Sequence, residues 1–240
     1  MRRALLVSLL LLACFSETRP DEILITGGTF TPGNDRSYPE EARGRPVTVG
    51  SFMMDATEVT NGAFAVFVKA TGYVTIAEKG FANDPRVPEA QQQPGGAVFL
   101  MPEPGRAPGW TFMPGASWRY PEGPGSSIEG KEDEPVVQIA YADALAYAKW
   151  KGRDLPTEAE WEFCARAGTK TPWFFGFDGS QIDQFAYCQI NSNNHLWPVG
   201  QLKPNDLGFF DIAGNLYQWT QDILQPYSDA SIVEDSKVDL

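Results

Sequence analysis

The hydrophobic positions of this chain fall into short, punctuated blocks. Ile23, Leu24 and Ile25 ahead of Gly27-Gly28 predict a first strand and its turn, and the alternation from Val47 to Met54 predicts a second strand. From Thr60 the period changes. Phe64, Phe67 and Val68 are spaced i, i+3, i+4 and share one helical face, with Thr60 as the capping residue and Gly72 as the stop. A stripe at helical spacing needs no ligand to explain it, so these aromatics are assigned to the core. A second helix is predicted from about Ala142 to Lys151, burying Leu145, Ala148 and Tyr141 and ending at Gly152. A third starts at Thr157, where Glu160 can reach back to the Thr157 amide in a capping box, Trp161 opens the apolar face and Gly168 ends the helix. Two closely joined helices would then pack on a small antiparallel sheet.

Between Ala82 and Gly130 no period holds. The segment carries many Pro and Gly, a Gln run at Gln91–Gln93 and isolated aromatics at Phe99, Trp110, Phe112 and Trp118. Long irregular segments in compact domains tend to serve function, and a substrate-facing loop is the expectation. Beyond Thr220 the pattern dissolves into a polar acidic tail, 227–240.

Composition adds four things. Gly and Pro together make 42 of 240 residues, spread along the chain, which fits a domain in which loops outweigh regular elements. Seven Trp and fifteen Phe supply anchors for one core, so a single domain is expected. With 19 basic against 31 acidic residues the net charge is -12, which repels phosphate backbones and anionic headgroups, so nucleic acid is excluded as a partner. At the N-terminus, Met1-Arg2-Arg3 and the apolar run Ala4–Ala13 form a secretory signal over residues 1–16, too short for a membrane span. Leu11-Leu12-Ala13-Cys14 also reads as a lipobox. Either Cys14 is lipidated, giving the only route to a membrane, or cleavage falls near Ala13–Ser16. Export to the periplasm or the extracellular space follows in both cases.

Cys164 and Cys188 are read as a structural disulfide in an oxidising compartment or as two buried free thiols, against a functional reading as an exposed copper or redox pair, for which the sequence offers no nearby activating base. His195, the only histidine, has neither metal spacing nor an adjacent nucleophile and is expected to face solvent in a loop.

Leu155-Pro-Thr-Glu-Ala-Glu-Trp-Glu-Phe-Cys-Ala-Arg-Ala-Gly168 and Asp211-Ile-Ala-Gly-Asn-Leu-Tyr-Gln-Trp219 resemble the two signature segments of the sulfatase-modifying-factor family, whose enzymes generate formylglycine. Further similarity runs through Gly27–Phe30, Met54–Asn61, Thr71–Val74, Gly115–Pro124 and Pro135–Val137, covering about residues 23 to 225. Tyr217 stands where the family has Trp, and Gln218 where it has Glu.

The resemblance implies an α+β, loop-rich single domain over residues 21–226, related to the C-type lectin fold, with little regular secondary structure. It implies calcium held by the carboxylate of Asp211, the carbonyls of Gly214 and Leu216, and Gln218, which keeps an oxygen but loses a charge and bidentate binding. The family's second calcium loop, after Phe185-Ala186-Tyr187, lacks its acidic partner in this sequence. It also implies copper(I), bound in the family's enzymes by two cysteines of a C-terminal segment, because soft thiolates suit that ion. Neither Cys164 nor Cys188 matches that pair, and the copper ligands are absent from these 240 residues, as is the family's last strand. The expectation is therefore an exported, C-terminally incomplete, non-catalytic relative of the formylglycine-generating oxidases, with no catalytic residue assigned. Its partner would be a sulfatase, another exported protein or an extended peptide. The alternative is an active copper- and O2-dependent oxidase whose C-terminal part is missing from this chain.

Overall fold

The computed structural model describes residues 21–33, 44–102 and 107–223, and pairs its strands two by two. β1 (Glu22–Ile25) lies antiparallel to β4 (Phe52–Asp55), β2 (Gly28–Phe30) to β3 (Val47–Val49), and β5 (Gly95–Leu100) to β6 (Gly109–Pro114). The strand expected over Val47–Met54 is thus broken at Gly50-Ser51, and its halves serve different sheets. The break has a steric cause. Gly27 has φ 77°, and a Cβ there would lie 2.4 Å from the Gly50 carbonyl oxygen, so the two connections pass with no room for a side chain.

α1 spans Asn61–Thr71, capped by the Thr60 hydroxyl on the Ala63 amide and closed by Gly72 at φ 67°. α2 (Ile76–Lys79) is a single turn with its own capping box, Thr75 with Glu78. α3 is Tyr141–Trp150 and α4 is Glu158–Arg166, the latter with the expected Thr157–Glu160 box. α4 stops one residue early, because Ala167 rather than Gly168 takes the first left-handed position at φ 48°.

In α3 the buried face differs from expectation. Tyr147 and Asp143 are buried with Ala148, whereas Leu145 and Tyr141 are only half-buried. A buried carboxylate is tolerable only with its hydrogen bonds made. Asp143 accepts from the Ala140 amide (2.9 Å), the Tyr73 hydroxyl (3.0 Å) and the Ile76 amide (3.0 Å), tying the starts of α2 and α3 together. The segment read as irregular holds a regular hairpin, β5–β6, in which Phe99 and Trp110 face each other in register and meet edge to face at 5.4 Å.

Two hydrophobic clusters form the core. The first joins Phe64, Phe67 and Val68 of α1 to Trp118 and Tyr147, and the second joins Ile25, Cys164, Phe209 and Ile212. After α4 the chain is mostly loop, with one 3-10 turn at Gly179–Gln184 among the described residues. The mixed helices and small sheets match the α+β class. No helix among the described residues is long and apolar enough to cross a membrane. The signal segment 1–16 with Cys14, and the tail 227–240, lie outside the described residues.

Candidate functional site

A cleft of about 580 Å3 opens between β4, the segment 135–139 and the stretch 216–221. Its walls are apolar where Val136, Ile139 and Leu155 contribute, and Glu58, in the link from β4 to α1, also lines it. The Glu58 carboxylate accepts from Asn215 Nδ2 (3.0 Å) and more loosely from Gln218 Nε2 (3.4 Å). Burial, and secondarily the neighbouring Asp211, push its carboxyl up to about 8, while bonds from Asn215, Gln218 and the Leu216 amide oppose the shift. At neutral pH Glu58 is thus held largely protonated, a neutral acid inside a cleft.

The turn that supplies these amides folds as its residue types dictate. Asp211 (φ 56°) and Asn215 (φ 64°) occupy the left-handed region that Asp and Asn tolerate best after Gly. A Cβ on Gly214 would sit 2.2 Å from the Tyr187 carbonyl oxygen, so only glycine fits. Asn215 is the turn's hub. Its amide N–H donates to the Tyr187 carbonyl (2.8 Å), its Oδ1 accepts from the Trp197 amide (3.2 Å), and its Nδ2 donates to the Trp197 carbonyl (3.1 Å) as well as to Glu58.

The structure brings Asp211, Gly214, Leu216 and Gln218 into this one turn, with their oxygens largely engaged. Asp211 Oδ2 accepts from the Gly200 amide (2.6 Å), the Gly214 carbonyl from the Leu216 amide (2.8 Å), and Gln218 Oε1 from Trp161 Nε1 (2.7 Å). Gln218 turns its nitrogen, not its oxygen, toward Glu58. As arranged, Gln218 does not fit as a cation ligand, and calcium could use its oxygen only by displacing Trp161.

Cys164 and Cys188 are unbonded, which corrects the disulfide reading. Cys164 is wholly buried on α4 against Ile25, Phe209 and Ile212, whereas Cys188 sits half-buried in the loop that Asn191 closes. Burial, with Glu160 adding to it, pushes the Cys164 thiol up to about 12, so at neutral pH it is no thiolate. Among the described residues, Cys164, a buried neutral thiol, does not fit as one of a copper(I) pair, which needs two thiolates. His195 is exposed in its loop, as expected. Glu58 carries the clearest electrostatic signature of the cleft, and its sequence signal was an acid between Thr57 and Val59 in the link from a strand to a helix cap.

A loop-dominated fold, a cleft beside β4 and a glycine-locked Asp211–Gln218 turn define the class, and sequence comparison agrees. A family model for the sulfatase-modifying factor enzyme 1-like domain matches residues 13–238. The chain belongs to that family. It is 41% identical over 222 residues to the formylglycine-generating enzyme of Mycobacterium tuberculosis (strain ATCC 25618 / H37Rv), covering 85% of this chain and 74% of the relative. It is 37% identical over 223 residues to the inactive C-alpha-formylglycine-generating enzyme 2 of Mus musculus, covering 86% and 70% respectively. Among solved structures, PvdO from Pseudomonas aeruginosa superposes with a TM-score of 0.58 at 27% identity, over 85% of this chain and 71% of that one.

Proposed function

We propose that this chain is a non-catalytic member of the sulfatase-modifying-factor family that binds an extended segment of another exported protein, in the first instance a sulfatase. The observation that carries this reading is the state of the cysteines. Cys164 is locked in the core as a neutral thiol and Cys188 is a second unbonded thiol, half-buried in a loop, while the cleft beside β4 is ligand-sized. An inactive relative at 37% identity is a precedent within the family. The reading includes export through the 1–16 segment, with Cys14 as a lipid anchor or not, and a single C-type-lectin-related domain over 21–226, which the small sheets and extensive loops support.

The 41% identity to a formylglycine-generating enzyme favours a second reading, an active oxidase whose copper thiolates come from residues other than these 240. One experiment separates the two. The purified protein is incubated with copper(I), O2 and a peptide carrying C-x-P-x-R, and the peptide is weighed by mass spectrometry while its serine analogue is titrated for binding. The expected result is binding with no change of mass. Loss of the thiol with gain of an aldehyde establishes the oxidase instead.

A further inference from the structure

We draw no further inference here: the strongest candidate, the exposed apolar face of the β5–β6 hairpin, where Phe99 (46% exposed) and Trp110 (66% exposed) meet edge to face, carries none, because nothing in the structure shows what covers it.

Discussion

On one face of the β1–β4 pair, Ile23, Phe52 and Met54 pack into a closed core with Ile25, Cys164, Phe209 and Ile212, whereas elsewhere β4 borders a cleft that Glu58 also lines. On the closed side even polar groups are consumed. Asn205 Nδ2 donates to the Cys164 carbonyl at 2.8 Å, and its Oδ1 accepts from the Leu207 and Phe209 amides at 3.1 Å. On the open side Glu58 keeps a neutral acid among amide donors. One strand of four residues therefore separates a region organised for stability from one organised for contact, and substitutions on the two sides should behave differently.

The largest effect belongs to the closed side. Phe209, 2% exposed, should cost about 3–5 kcal/mol when truncated to Ala, whereas Tyr217→Ala at the cleft, where Tyr217 is 96% exposed, should stay within about 0.5 kcal/mol. Urea unfolding of the two variants measures the contrast, and equal costs would erase it.

Next comes pH. The Glu58 carboxyl has an ordinary value of 4.5 and about 8 in the fold, so the folded state holds the proton more tightly than the unfolded chain. The stability this contributes is complete below 4.5 and is lost as pH rises from 4.5 through about 8, by at most about 1.4 kcal/mol per pH unit. Glu58→Gln, which cannot ionise, should flatten that slope and be the more stable protein above pH 8. A slope unchanged by the substitution would place the titrating group elsewhere.

The caps were legible in the sequence because capping is local. Thr60, Gly72, Thr157 and Glu160 each act within four residues of themselves, and all four take the places their types predict. What was not legible depends on distant partners. Asp143 is buried because Tyr73 and the Ile76 amide, 70 and 67 residues away, supply donors that no local pattern announces. The break at Gly50-Ser51 follows from Gly27 passing beneath it, and the β5–β6 hairpin hides in a stretch whose Pro and Gly content reads as loop. At the site, the signature segment revealed the Asp211–Gln218 turn, but not that Gln218 turns its oxygen to Trp161 and its nitrogen to Glu58.

That orientation gives the smallest expected effect. Melting temperatures in EDTA and in millimolar calcium should differ by no more than about 1 °C, since an ion must displace Trp161 to reach the Gln218 oxygen and stabilisation grows only with the logarithm of ligand over Kd. Gln218→Glu sets a second carboxylate beside Glu58, and should be destabilised in EDTA and recovered by calcium. A large calcium shift in the unsubstituted protein would assign the turn to the metal.

The asymmetry of β4 is tested most directly by amide hydrogen exchange of the unliganded protein, residue by residue. The amides of Phe52 and Met54, directed at β1, should exchange slowly, and those of Met53 and Asp55, on the free edge, should exchange at rates near those of an exposed strand. Equal protection at all four positions would mean that the second edge is also covered, and would contradict the asymmetry of β4 seen among the described residues.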